Sequence, residues 1–203
     1  MNQHQEKIDV LRELINIGIG RAAGMLNEML DAHVTLQVPV VRVFLQKDLE
    51  RKVGEVSKNI LSAVRMGFRG PLKGNAFLLF PPESASNLVS VLTGEDPVED
   101  DMDSIRIGTL TEVGNILINC VMGSISNVVE RQLNYSVPNY FEDSLSNMLT
   151  RYDENSPDVT IILASMHFII EQHFINGDIM LFFELGSFDV LIDCLGSLIE
   201  KTR

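Results

Sequence analysis

Residues 9–20 have the sequence DVLRELINIGIG, and this stretch decides the fold because its central pattern occurs twice in the chain. Here Glu13-x-x-Asn16 is followed by Pro39, 23 positions after the asparagine. The same arrangement of Glu, Asn and a later Pro returns 99 residues downstream. At average residue usage, such a three-residue pattern starts by chance at roughly one position in ten thousand. Two copies in one chain therefore indicate an internal duplication.

The second copy consists of Glu112, Asn115 and Pro138, and the segments that follow the two motifs also correspond to each other. Residues 74–80, GNAFLLF, match residues 177–183, GDIMLFF, at an offset of 103. The second half has thus gained about four residues after its motif. The extra length is expected near 144–157, which is polar and rich in turn-forming residues.

The hydrophobic pattern predicts similar elements in each half. Apolar residues at helical spacing indicate a long helix at the start of each half, and short apolar runs bounded by turn residues indicate strands. The first half is expected to form a helix at 4–30, a strand at 34–45, a hairpin of 54–68 and 74–80, and a helix at 82–93. The second half is expected to form a helix at 104–133, strands near 136–141, 158–170 and 174–184, and a helix at 187–200.

These elements predict the α+β class, with an antiparallel sheet flanked by two long motif helices. We expect a single domain over 1–203 that is made of two repeats, about 1–95 and 104–203. Residues 94–101 would form an acidic linker between the repeats. Duplication implies that a pseudo-twofold axis relates the two halves.

Composition disfavours several classes of function. The formal net charge is −12, which opposes binding to nucleic acid and to anionic membranes and leaves proteins or small molecules as partners. No uninterrupted apolar run reaches membrane-spanning length, because polar residues such as Asn16 and Asn115 break the two longest stretches. The first residues are polar and contain no signal-peptide core. We therefore expect a cytoplasmic protein.

Residues that could carry other chemistry are sparse. The two cysteines, Cys120 and Cys194, form no CxxC motif and are expected to be buried, reduced thiols. The four histidines are scattered along the sequence. The sequence contains no P-loop, no dinucleotide-binding glycine motif after a strand, no nucleophile elbow and no kinase signature. The repeated Glu–Asn pair is therefore the main candidate for a functional site.

The repeated residues share one face of their helix. Asp9, Glu13 and Asn16 are spaced i, i+4 and i+7, which places them within an arc of about 60°, away from the apolar stripe. Gly20 lies on the same arc, and its missing side chain would let the backbone of a partner approach. A lone Glu-x-x-Asn on a solvent-facing helix is usually accidental, and asparagine is a mediocre helix former. Its identical placement in both halves favours a function.

The pattern resembles the signature of the CheC/CheX/FliY group of chemotaxis phosphatases, which is Asp/Ser-x3-Glu-x2-Asn and a proline 23 positions later. The first half has the complete signature: Asp9, Glu13, Asn16 and Pro39. The second half has Glu112, Asn115 and Pro138. There Gly108 replaces the Asp or Ser, and Asn119 replaces the small Gly20. Two motifs in about 200 residues is the layout of CheC, whereas CheX has one site per chain and FliY carries a further domain.

The resemblance implies a phosphatase that hydrolyses the aspartyl phosphate of a CheY-like response regulator. Members of this family are understood to orient the attacking water with the asparagine and to engage the receiver's active-site lysine with the glutamate. The implied catalytic residues are Glu13, Asn16, Glu112 and Asn115, and the implied supporting residues are Asp9, Pro39 and Pro138. The receiver would bring the Mg²⁺ ion, and this chain would supply no metal ligands or cofactor of its own.

The chain is expected to act as a monomer, because its two halves can do internally what a dimer interface would do. Two alternatives to catalysis stay open. The protein could be an adaptor or regulator that binds CheD, the receptor deamidase. It could also be a component of the flagellar switch, since switch proteins share the fold.

Overall fold

The chain folds as helices and antiparallel strands in the residues that the computed structural model describes: 3–30, 33–45, 48, 59–94, 102–153, 159–170 and 173–202. The helices are α1 (Gln3–Leu30), α2 (Pro82–Thr93), α3 (Met102–Val129), α4 (Leu145–Asp153) and α5 (Ser187–Thr202). The strands are β1 (Val34–Leu45), β2 (Ile60–Arg69), β3 (Gly74–Phe80), β4 (Asn134–Tyr135), β5 (Asn139–Ser144), β6 (Thr160–Ile170) and β7 (His173–Phe183).

Within these ranges the seven strands form one sheet in the order β1-β6-β7-β3-β2-β4, and β5 also pairs with β2. Each half contributes one hairpin, β2–β3 or β6–β7, and the two hairpins meet where β3 pairs with β7. At that junction Phe77 pairs with Met180, and these are equivalent positions of the two repeats, 103 residues apart. A pseudo-twofold axis therefore passes through this pair. The antiparallel sheet with its helices confirms the predicted α+β fold.

The first strand of each half pairs with the hairpin of the other half. β1 lies beside β6, and β5 lies beside β2. Both exchanged segments are interrupted at the motif proline. The register of β1 shifts between Gln37 and Val40, around Pro39, and pairing with β2 stops between β4 and β5, where Pro138 lies. Proline has no N–H to give to a sheet, so it is accommodated at such breaks.

The helices cover the two faces of the sheet unequally. Among the described residues, α1, α2, α3 and α5 share the main hydrophobic core with one face. On the opposite face α4 packs over a smaller cluster, in which the rings of Phe77 and Phe182 meet edge to face at 5.1 Å. The two motif helices, α1 and α3, consequently lie side by side on the same face.

Several boundaries in the second half differ from the sequence prediction. The strand expected near 136–141 is observed as β5, which begins at Asn139, directly after Pro138. α3 ends at Val129 instead of residue 133, and Glu130 has a left-handed backbone with φ of 53°. Residues 145–153, expected to be a turn-rich connection, form α4. Its apolar side chains, Met148 and Leu149, are buried against the sheet, so tertiary packing stabilises a helix that the polar sequence did not suggest. Residues 54–58 and 95–101, expected to be strand and linker, lie outside the described residues.

The additional length of the second half also lies elsewhere than predicted. Phe80 and Phe183 are 103 positions apart, but Ser62 and Thr160, which pair with them, are only 98 positions apart. Five residues have therefore been added inside the β6–β7 hairpin and none near 144–157. This hairpin stays paired as far as Ile170, which lengthens both of its strands.

In the part of the chain that the structure describes, one helix has the length and composition expected of a membrane span. An 18-residue window in α3, within Ser104–Val129, has a mean hydropathy of 1.2, although the interruption by asparagines had argued against any such segment. In the fold, 56% of that window is buried, and Leu117 and Val121 are completely inaccessible. The central position of α3 in the core accounts for its apolar composition.

Candidate functional site

The first motif lies on the outer face of α1. Glu13 and Asn16 are exposed, whereas Leu11 and Ile15, on the opposite side of the helix, are completely buried. This separation follows from the helical period of the apolar residues. Gly20 continues the exposed face, and nothing lies within 4 Å of the position that its Cβ would occupy. The structure thus brings the predicted carboxylate and amide together on a surface that a folded partner can reach.

Asp9, the first residue of the motif, is held by its own helix. Its Oδ1 accepts hydrogen bonds from Arg12 Nη1 at 3.0 Å and from Gln5 Nε2 at 3.2 Å. Both charged groups are roughly half exposed, so the ion pair adds little to stability. These contacts fix the carboxylate on the helix surface, one turn before Glu13.

The second motif lies on α3 and differs from the first in its hydrogen bonding. Glu112 is exposed and Asn115 is half-buried. Asn119 Nδ2 donates a hydrogen bond of 2.7 Å to Asn115 Oδ1. Gly20 stands at the equivalent place on α1 and cannot make this bond. Gly108, at the place of Asp9, leaves open space on the surface. The amide of the second site is therefore oriented by a neighbour that the first site lacks.

The two motif helices cross in direct backbone contact at Gly18. A Cβ atom at this position would lie 2.6 Å from Val121 Cα and 2.8 Å from Cys120 O. Only glycine permits this approach, because any side chain would meet the backbone of α3. Sequence patterns did not predict this packing role for Gly18. Its signal was a glycine on the buried side of a long helix, where its cost in helix propensity calls for a packing reason.

A cavity of about 310 Å³ lies between α1 and α3 beside the second motif. The residues that line it are Glu112, Asn115, Ile116, Asn119, Cys120 and Gly123 of α3, and Arg21 and Met25 of α1. Cys120 Sγ donates a weak hydrogen bond to Met25 Sδ at 3.5 Å. Burial raises the pKa of the Cys120 thiol, and the nearby charge of Arg21 lowers it in part, so the thiol is protonated at neutral pH. Cys120 and Cys194 are both free and half-buried, less enclosed than expected.

A polar cluster anchors the start of α3 to the sheet. Arg106 Nη2 donates to Ser62 Oγ at 2.9 Å and lies 3.3 Å from Glu142 Oε1. Tyr140 Oη donates to the same carboxylate oxygen at 2.6 Å. Burial, and next the bond to Glu142, raise the pKa of Tyr140, so it remains a donor. Since Arg106 lies less than two turns before Glu112, this cluster fixes how the second motif is presented.

The chemistry available at both motifs is that of a carboxylate beside a neutral amide. The carboxylate can accept hydrogen bonds from a cationic group of a partner, and the amide can both donate and accept. No group of three or more His, Cys, Asp or Glu suited to holding a metal ion occurs within the described ranges. The arrangement suits the docking of a charged partner and the positioning of a water molecule.

Comparisons with known proteins match the chain to a family model and to a named relative. Residues 62–163, just over half of the chain, match a family model described as chemotaxis phosphatase CheX. The chain is 25% identical over 203 residues to a protein of Bacillus subtilis named CheY-P phosphatase CheC, with 95% of each chain covered. The matched region of the family model includes Glu112 and Asn115, and the relative spans both motifs.

Solved structures share the fold at low sequence identity. FliY of Thermotoga maritima has a TM-score of 0.72 and 18% identity, with 95% of this chain and 96% of FliY covered. A chain of the FliM–SpeE complex of Helicobacter pylori has a TM-score of 0.68 and 14% identity, with 95% of both chains covered. A CheX protein of Desulfovibrio desulfuricans has a TM-score of 0.54 and 13% identity, with 85% and 99% covered. Together with the duplicated motif and the shared sheet, these matches show that the chain belongs to the CheC/CheX/FliY family of chemotaxis phosphatases.

Proposed function

We propose that this protein hydrolyses the aspartyl phosphate of a CheY-like response regulator. The observation that supports this proposal is the presence of the same Glu–Asn pair on the outward faces of two adjacent helices, Glu13 with Asn16 and Glu112 with Asn115. Both pairs lie on rigid elements that are packed on the core, as a positioning site requires. The relationship to a CheY-P phosphatase over 95% of the chain supports the same activity.

The asparagine amides carry the proposed chemistry. Phosphoryl transfer from an acyl phosphate requires mainly positioning and charge stabilisation. An amide N–H of Asn16 or Asn115 would donate to a phosphoryl oxygen, and the amide carbonyl would accept a hydrogen bond from a water and aim it at phosphorus. The water oxygen bonds to phosphorus as the bond to the aspartyl oxygen breaks, which yields inorganic phosphate and the free carboxylate. A neutral amide suits this role because phosphate does not repel it.

The glutamates carry the proposed docking role. Glu13 and Glu112 are exposed one turn before the asparagines, where each can accept a charge-assisted hydrogen bond from the active-site lysine of the receiver. The receiver brings its own Mg²⁺ ion, and this chain contributes no metal ligand. We further propose that the protein acts in the cytoplasm as a monomer and that CheD is a candidate second partner.

The experiment measures the loss of phosphate from a CheY-like receiver of the same organism. It compares the wild type with the double variant Asn16→Ala/Asn115→Ala. The wild type should speed the loss and the double variant should not, while both still bind the phosphorylated receiver. Asn127→Ala is the matched control, because Asn127 is an exposed asparagine of α3 three turns beyond the motif.

Two results would count against the proposal. If the wild type leaves the rate unchanged with every receiver tested but binds one of them, or binds CheD, the protein acts as an adaptor. If the double variant retains the full rate, the activity does not depend on the asparagines, and another part of the surface must carry it.

A further inference from the structure

Arg21 belongs to α1 but faces the motif of the other half. It is exposed and lies on α1 about one turn after Gly18, where the two motif helices cross. Its side chain lines the same inter-helix cavity as Glu112 and Asn115. Within the described ranges its guanidinium forms no hydrogen bond or ion pair with another residue of the chain. A cation without a carboxylate partner among the described residues thus lies beside the second motif.

The two motifs are unequal in this respect. The repeat, with its offset of 99 residues, places Cys120 at the position that corresponds to Arg21. Where the first half has a guanidinium at this position, the second half therefore has a thiol, which lines the same cavity. Near the first motif the neighbouring cation is Arg12, which is already paired with Asp9 at 3.0 Å. Within the described ranges, an arginine without an ion-pair partner therefore lies beside the second motif, whereas the arginine next to Glu13 is paired.

Charge balance gives this difference a chemical meaning. The chain has a formal net charge of −12, and Glu112 adds a carboxylate to the cavity wall, so an arriving phosphoryl group meets a negative field. A guanidinium matches the geometry of phosphate oxygens and can bind two of them at once. Resting on the proposed function, we propose that Arg21 binds the phosphoryl group presented to the second site. The second site then takes its amide from one half of the chain and its cation from the other half.

The test isolates the second site with Asn16→Ala and then adds Arg21→Ala or Arg21→Lys. Removing the guanidinium should lower the kcat/KM of phosphate loss roughly tenfold, chiefly through KM, as expected for one charge-assisted hydrogen bond. Lysine should restore part of the lost kcat/KM, since it keeps the positive charge but lacks the planar guanidinium that can bind two oxygens at once. Arg42→Ala, which removes an exposed arginine of β1, is the control for the loss of general positive charge.

The binding of receiver with and without beryllofluoride, a phosphoryl mimic, is measured in the Asn16→Ala/Asn115→Ala background. The effect of Arg21→Ala should be confined to the loaded receiver, and an equal effect on the unloaded receiver would overturn the assignment to phosphate.

An equal loss of kcat/KM in the Asn115→Ala and Asn16→Ala backgrounds would overturn the assignment to the second site. If the wild type itself does not hydrolyse the phosphate, it is the proposed function that fails. If the wild type turns over normally and Asn16→Ala/Arg21→Ala has the same rate as Asn16→Ala, only the role of Arg21 is refuted and the proposed function stands.

Discussion

Replacing Gly18 by alanine should force the two motif helices apart. The new methyl group would start 2.6 Å from Val121 Cα, and ordinary contacts begin at 3.4 Å, so the helices must separate locally by about 0.8 Å. The opposing atoms belong to the backbone and cannot rotate away. Overpacking of this kind costs about 1–3 kcal/mol, and the better helix propensity of alanine returns up to about 1 kcal/mol. We expect a net loss of about 1–2 kcal/mol in the free energy of unfolding.

Gly24→Ala is the matched control on the same helix. Nothing lies within 4 Å of the position of its Cβ, so alanine there brings only the gain in propensity, up to about 1 kcal/mol. Urea unfolding followed by far-ultraviolet circular dichroism compares the two variants, because the chain has no tryptophan to report by fluorescence. At slopes of about 1–3 kcal/mol per molar urea, their midpoints should differ by roughly 1 M or more. A Gly18→Ala protein as stable as Gly24→Ala would refute the close crossing.

Three further changes test the site and the sheet. Glu13→Ala in the Asn115→Ala background should raise KM more than it lowers kcat, because Glu13 is assigned to docking; a fall in kcat alone would contradict that role. Asn119→Ala in the Asn16→Ala background frees the carbonyl oxygen of Asn115 from its 2.7 Å hydrogen bond. This change should raise second-site turnover roughly threefold. A decrease in turnover would mean that Asn119 usefully orients the amide of Asn115. Burial raises the pKa of Asp178 in β7, although Ser165 and His167 lower it in part, so the folded protein loses stability as pH rises through that pKa. Asp178→Asn should therefore stabilise the protein at pH 7, by a margin that shrinks as pH falls toward the usual range of an aspartate. Urea midpoints measure this margin, and Asp193→Asn, at an exposed carboxylate, is the control for the loss of one negative charge.

The parts of the fold that could be predicted from the sequence are those that depend on local periodicity. The bounds of β1 and α2 agree with the prediction, and those of α1 and α5 agree within two residues, because each has a regular apolar stripe or a strong start signal such as the Pro81-Pro82 pair. The pseudo-twofold arrangement was also predictable, because duplication of the sequence implies duplication of the structure.

The unpredicted features depend on contacts between distant residues. Nothing in β1 alone indicates that it pairs with β6 of the other half, and nothing in 145–153 indicates the apolar surface on which α4 folds. The site shows the same division. The motif face of α1 followed from spacing, but the crossing at Gly18 and the position of Arg21 beside Asn115 exist only after α1 and α3 have docked. Periodicity places a residue on one face of its own helix and says nothing of the element opposite.

The exchange of first strands has a consequence for how the protein is made on the ribosome. β1 must wait for β6, whose paired residues are encoded 115 to 136 positions later. At roughly 5–20 residues per second, that delay lasts about 6 to 27 seconds. During this interval the nascent first half carries a strand without its neighbour in the sheet, and that strand includes Val34 and Val41, which are buried in the finished protein. A chain that terminates near residue 95 would keep this edge open permanently, and we expect it to aggregate or be degraded unless the missing half is supplied in trans.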